Sequence, residues 1–278
     1  MRTIAASEVM RAVRDLAISV NRNLPGDVLR AFRRAREAEE SPVGRSVLDK
    51  LIENAEIARS EQMPICQDTG LAVLFVELGQ ELQVEGGLNA AIHEGVRQGY
   101  SKGYLRKSAA DPISRKNTGD NTPAIIHYDL VPGDQIRIAF MAKGGGAENM
   151  SAVHMLKPAQ GLDGIKKAVE ETVSKAGANP CPPIIVGVGI GGTFELCALN
   201  AKKALLRPLG SLNLDPDLVV LEKELLEQVN NLGIGPAGFG GRTTALGVHV
   251  IKAPCHIASL PLAVNIQCHA SRHGEVVI

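Results

Sequence analysis

The spacing of apolar residues changes about sixty residues into the chain, and that change limits the folds open to it. Before it, apolar side chains recur at the 3.6-residue rhythm of amphipathic helices. Val9, Val13, Leu16, Ala17 and Val20 mark a first helix, with Ser7 as the expected N-cap. A second helix is expected over 27–39, and a third over 42–59 with Val47, Leu51, Ala55 and Ile57 on its apolar side. A loop at 63–70 follows. Beyond it, strand-like runs at 71–78, 124–130, 135–142, 183–188, 246–251 and 262–267 alternate with helical ones at 88–104, 162–175, 194–206 and 218–232. Val131-Pro132-Gly133-Asp134 supplies a turn between two of the strands. Glu222, Glu224 and Glu227 read as the wet side of the last helix. The pattern predicts a mixed α/β (α+β) protein: a helical N-terminal segment, 1–62, then a mixed-sheet α/β domain, 63–278, the whole of 1–278 forming one continuous unit.

Charge excludes several function classes. Thirty basic residues balance thirty acidic ones, so nothing draws the chain to nucleic acid or to an anionic membrane surface. With no Trp, three Tyr and five Phe, it also lacks the stacking platforms of single-strand binders. No run approaches the ~20 apolar residues of a membrane span, and the charged N-terminus lacks the apolar centre of a secretory signal. The cytoplasm is the expected compartment, where the five cysteines stay reduced.

Glycine gathers in three places: 144–146, 187–192 and 233–241. Gly187-Val188-Gly189-Ile190-Gly191-Gly192 satisfies the spacing of a dinucleotide-binding turn between strand and helix. No later strand ends in an acidic residue to hold a ribose, which argues against a nucleotide. Ordinary turn chemistry and a helix N-terminus facing an anion are the alternatives.

The cysteines fall into two groups. Cys66, Cys181 and Cys268 occupy loops or strand ends, where functional groups sit on rigid scaffolds. Cys197 lies inside a helix among Leu196, Ala198 and Leu199 and reads as a core thiol; Cys255, in a loop before His256, is ambiguous. No C-x-x-C occurs, which argues against zinc ribbons, thioredoxin-like sites and ferredoxin-type clusters. Three distant thiolates can still converge, and a cubane held by three cysteines leaves one iron open as a Lewis acid.

Taken together, PICQDTG, YLRKSAADP, KNTGDNTPA, MAKGGGAENMS, NPCPPIIVGVGIGGTFE and LPLAVNIQCHASRH strongly resemble the alpha subunit, or N-terminal domain, of class I fumarases and the related tartrate dehydratases. The resemblance covers nearly the whole chain. It implies a 4Fe–4S cluster on Cys66, Cys181 and Cys268, with one iron open to substrate. Gln67, Arg106, Lys143, Gly144 and Gly145 are the implied holders of substrate carboxylate, and Asp68 and His256 the implied catalytic residues. Arg106 and Lys143 could instead be surface charges, and Asp68 a loop-shaping residue.

The implied reaction is reversible hydration of fumarate to L-malate, a step of the tricarboxylic acid cycle; dehydration of tartrate is the near alternative. Single-chain members of the family continue into a second domain, whereas this chain stops at Ile278. The resemblance therefore implies a beta subunit as partner, further pairing to a heterotetramer, and a small dicarboxylate as substrate. A non-catalytic iron–sulfur protein for electron transfer or redox sensing, and a nucleotide-dependent oxidoreductase on Gly187–Gly192, are the other classes.

Overall fold

The computed structural model describes residues 2–278. They form two compact units with interleaved segments. The first comprises the chain up to Pro25, Ala55–Gly145 and Arg272–Ile278; the second comprises Gly26–Asn54 and Gly146–Ser271.

In the first unit, β1 (Arg2–Ala5) leads into α1 (Ala6–Arg22). The N-cap is Ala5 rather than Ser7, because the Glu8 carboxylate accepts from the Ala5 N–H at 3.4 Å and starts the helix two residues earlier. The second unit takes α2 (Gly26–Ala38). The division between units falls within α3 (Pro42–Ser60), after Asn54. The first unit continues with β2 (Leu71–Gly79), β3 (Leu82–Glu85), α4 (Leu88–Lys102), β4 (Ile125–Val131) and β5 (Ile136–Lys143). The 131–134 turn does join two strands, but they do not pair with each other. β2 lies between them, parallel to β4 and antiparallel to β5. The connecting turn clasps the end of β2: Gly79, Gln80 and Glu81 N–H groups donate to Gln135, Val131 and Gly133 carbonyls, each at 2.9 Å. The turn at 80–81 thus finds its partners in another turn rather than in a sheet. β1 pairs in parallel with β3. Val9, Val13 and Ala17 from α1 bury with Ile92, Val96 and Tyr100 from α4 and with Leu74 and Phe140 from the sheet.

The second unit contains most of α5 (Gly145–Glu148), then β6 (Ala152–Leu156), α6 (Gly161–Ala176), β7 (Ile184–Gly191), α7 (Phe194–Ala204), α8 (Pro216–Asn230), β8 (Ala245–Ala253) and β9 (Leu260–Gln267). Its sheet runs β6-β9-β7-β8. The chain then returns to the first unit, where β10 (His273–Val277) pairs with β5 to give the order β10-β5-β2-β4.

Alternation along β7 and β9 divides the second sheet's faces. Val186, Val188, Val264 and Ile266 pack with α6 and α8, whereas Ala263 packs with Cys197 and Ala201 of α7. Cys197 is a core thiol, and burial pushes its pKa up. The glycines of β7 explain the apparent dinucleotide turn. A Cβ on Gly187 would lie 2.1 Å from the Ala201 carbonyl, and one on Gly189 would lie 2.0 Å from that of Cys197. They let a helix backbone rest directly on a strand.

Glu222 is not on the wet side of α8 but buried. Its carboxylate takes Arg207 Nη1 at 2.8 Å, Asn213 Nδ2 at 2.7 Å and the Val250 N–H at 2.8 Å. Burial alone would raise its pKa; these donors outweigh that and hold it below the usual carboxylate value.

Candidate active site

The 66–70 loop of the first unit is fixed from several sides. Helix α1 carries Asn21 in its last turn, and the Asn21 carbonyl accepts from the Ile65 N–H at 2.8 Å. The Tyr100 hydroxyl of α4 donates to the carbonyls of Thr69 (2.8 Å) and Gly70 (3.1 Å). Asn121 Nδ2 adds a bond to Gly70 at 3.2 Å. Gly70 has φ +71°, and a Cβ there would lie 2.7 Å from the Lys143 backbone, so the loop and the end of β5 touch main chain to main chain.

Around this loop the first unit gathers most of the expected substrate residues. Cys66 is half-buried, with Sγ 3.4 Å from Gln67 Oε1, and Gln67 is exposed. Asp68 Oδ1 accepts from the Gly70 N–H at 2.9 Å and Oδ2 from the Gly145 N–H at 2.8 Å. Its carboxylate thereby closes an Asx-type turn and ties the loop to the glycine run. Arg106 holds its guanidinium outward, while its carbonyl accepts from Thr69 Oγ1 at 2.8 Å. Lys143 is buried rather than a surface charge. Arg272, absent from the sequence-derived set, lies beneath the loop: Nη1 donates to the Asp68 carbonyl. Its isolation in a run of small and polar residues at the C-terminal end gave no periodic signal.

The other two cysteines lie in the second unit and are brought together there. Cys181, exposed and at φ +55°, precedes β7; Cys268 follows β9. The Cys181 carbonyl accepts from the His269 N–H at 3.3 Å and lies 3.0 Å from His269 Nδ1. Beside Cys268, Gln267 is 1% exposed and neither amide atom has a hydrogen-bond partner; Asn265 Oδ1, two residues back on the same strand face, also lacks one.

His256 sits elsewhere in this unit. It occupies the turn from β8 to β9, where its Nδ1 accepts from the Ala258 N–H at 3.1 Å and the Cys255 thiol donates to the Ser259 carbonyl at 3.2 Å. Gln267 is opposite Ile185 at one end of β7, whereas Ala253, before that turn, is opposite Gly191 at the other. About six residues of strand, roughly 20 Å, separate His256 from the Cys181 and Cys268 end. No group of three or more His, Cys, Asp or Glu side chains among the described residues is gathered as for a metal ion. None of the helices described is long and apolar enough to cross a membrane.

Comparison with known proteins places this geometry in context. The family model described as fumarate hydratase (Fumerase) matches residues 10–277. A Methanocaldococcus jannaschii protein, named provisionally as an L(+)-tartrate dehydratase alpha subunit, is 44% identical over 258 residues, covering 90% of each chain. The L(+)-tartrate dehydratase alpha subunit of Escherichia coli O157:H7 is 33% identical over 278 residues, 99% of this chain and 92% of its own. That of Escherichia coli K12 is 32% identical over 278 residues, with the same shares covered.

Proposed function

The chain belongs to the fumarate hydratase family and is a hydro-lyase; from that premise we propose that it is the alpha subunit of a two-subunit iron–sulfur enzyme that hydrates fumarate reversibly to L-malate in the cytoplasm. The family match along 10–277 carries the reading. The relatives named as alpha subunits support a beta subunit as partner, and pairing of two such heterodimers is part of the proposal.

The residues fit a thiolate-held cluster. Cys66, Cys181 and Cys268 are loop or strand-end thiols outside any disulfide, and His269 binds the Cys181 segment to the Cys268 segment. An amide sealed from water with both atoms unbonded, as in Gln267, costs about 1–3 kcal/mol. An adjoining polar group would offset that cost. Cys66, Cys181 and Cys268 are the proposed ligands, and such a cluster would supply an iron that polarises a substrate hydroxyl and carboxylate.

The chain's own residues divide the remaining work. Arg106 offers a planar fork suited to a carboxylate, on a backbone fixed by Thr69. Gln67, exposed in the loop that Thr69 ties to Arg106, offers an amide. Asp68 braces the loop against Gly145, and a free lone pair on its carboxylate can still orient a reacting water. Lys143, Gly144 and Gly145 shape the turn on which that bracing depends. The carbon-bound proton is assigned to a base from the partner chain. His256, in the turn between β8 and β9, stays in the proposal as a catalytic residue implied by the family resemblance.

A second reading, dehydration of L(+)-tartrate, is favoured by the names of the relatives. Turnover of fumarate and of tartrate by the chain combined with its beta subunit separates the two. The test of the common reading is anaerobic reconstitution, following the electron paramagnetic resonance of the reduced protein with and without malate. A cubane signal that responds to malate, disappears in Cys66→Ser, Cys181→Ser or Cys268→Ser and survives in Cys197→Ser is the expected result. A signal indifferent to both malate and tartrate would point to electron transfer instead.

A further inference from the structure

Arg272 is the largest side chain wholly shut off from water among the described residues, at 1% exposure. A guanidinium cannot escape burial by giving up its proton, so its charge must be answered where it sits. What answers it here is slight. Nη1 donates to the Asp68 carbonyl and lies 3.5 Å from Asn21 Oδ1. Nε has no acceptor, and among the described residues Arg272 forms no ion pair. Both acceptors are neutral. Buried cations are ordinarily paired; this one has an unused donor, and the Asp68 carboxylate, set beside it under Gly144, makes no ion pair with it.

Its attachments converge on one loop. Asn21, which receives the guanidinium through its side chain, also accepts the Ile65 N–H through its carbonyl at 2.8 Å. Arg272 is therefore linked to the residue before Cys66 through Asn21, and directly to Asp68, two residues after it. The packing is close: a Cβ on Gly144 would lie 3.3 Å from Arg272 Nη2 and 3.1 Å from Asp68 Oδ2. Only a glycine lets the turn lie over both groups without pushing them aside.

We infer that Arg272 is a positioning residue that holds the Cys66-Gln67-Asp68 loop and lends its unpaired positive charge to the anionic metal–thiolate group bound at Cys66. The inference rests on the iron–sulfur reading above. A nearby fixed cation stabilises the more reduced, more negative state of such a group, because cluster potentials follow local charge and hydrogen bonding.

The test is a redox titration, read by electron paramagnetic resonance, of the full-length chain reconstituted anaerobically with iron and sulfide. Arg272→Lys keeps the charge and should hold the midpoint potential close to wild type. Arg272→Gln removes it and should shift the midpoint to a more negative value. Arg272→Met removes the charge while keeping an unbranched chain in the packed site, and should shift the midpoint the same way. A purely structural Arg272 predicts no shift in either uncharged variant. A loaded cluster at wild-type potential in either Arg272→Gln or Arg272→Met overturns the inference, and Arg272→Met decides it if Arg272→Gln does not fold. A wild-type chain that takes up no cluster overturns the iron–sulfur reading itself, a different result from an unshifted potential.

Discussion

Glu39 in the second unit and Arg272 in the first are both sealed from water, yet their surroundings treat them differently. Glu39, at 0% exposure, accepts from the main-chain N–H groups of Glu40 (3.0 Å), Ser41 (3.1 Å), Arg242 (2.9 Å) and Thr243 (3.2 Å). Burial works against its charge, but these amides prevail and lower its pKa. Glu222 is answered just as fully by Arg207, Asn213 and Val250. Arg272 has two neutral acceptors and an idle Nε. A saturated buried charge ties chain segments together. An unsaturated one keeps interaction energy in reserve for something outside the polypeptide.

The comparison breaks if these groups do not differ in what they contribute to folding. The largest loss is expected for Glu39→Ala, which strands four amides and should cost about 3–5 kcal/mol in denaturant unfolding. A loss below 1 kcal/mol would remove Glu39 as an anchor.

The next effect comes from His249, which the second unit keeps neutral: burial first, then the Arg207 charge, lowers its pKa to about 4. Because the folded value lies below the unfolded one, the unfolded chain binds more protons between them. Stability should therefore fall as pH drops from about 6.5 towards 4, by on the order of 3 kcal/mol. His249→Gln should flatten that part of the pH profile, and an unchanged slope would assign it to other groups.

Glu222→Gln should cost about 2 kcal/mol near neutrality, through its bonds with Arg207. Its folded pKa is depressed, so its stabilisation is present above the ordinary carboxylate range and lost as pH falls through the folded value. Wild type and variant should converge in acid. The smallest stability change is expected for Arg272→Gln, about 1 kcal/mol or less. A loss there as large as for Glu39→Ala would make Arg272 a structural anchor and erase the contrast.

Much of the secondary structure was legible from periodicity, and the misses have a common cause. β1, β3, β6 and β10 are four or five residues long, too short for an alternating pattern to stand out. They are strands because distant partners hold them: β1 pairs with β3, β6 with β9 and β10 with β5. Glu222 looked wet because a carboxylate on a helix usually is. The donors that bury it come from Arg207, before the helix, and from β8 after it. The Gly187–Gly192 run shows the same limit, since local spacing cannot reveal that Ala201 and Cys197 carbonyls lie where its side chains would go.

For the site, the chain order of residues was enough to separate the loop thiols from Cys197 and to indicate the family, because each depends on residue type and near neighbours; Gln67, Asp68 and Arg106 came from the resemblance alone. Strand direction and long-range hydrogen bonding decided where the residues lie. They put His256 at the opposite end of its sheet from Cys181 and Cys268, turned Asp68 into a brace for the glycine run, and buried Arg272 beneath the loop that carries Cys66. Proximity between residues far apart in the chain comes from closing long loops onto a packed core, and no local pattern of residues encodes which loops close on which.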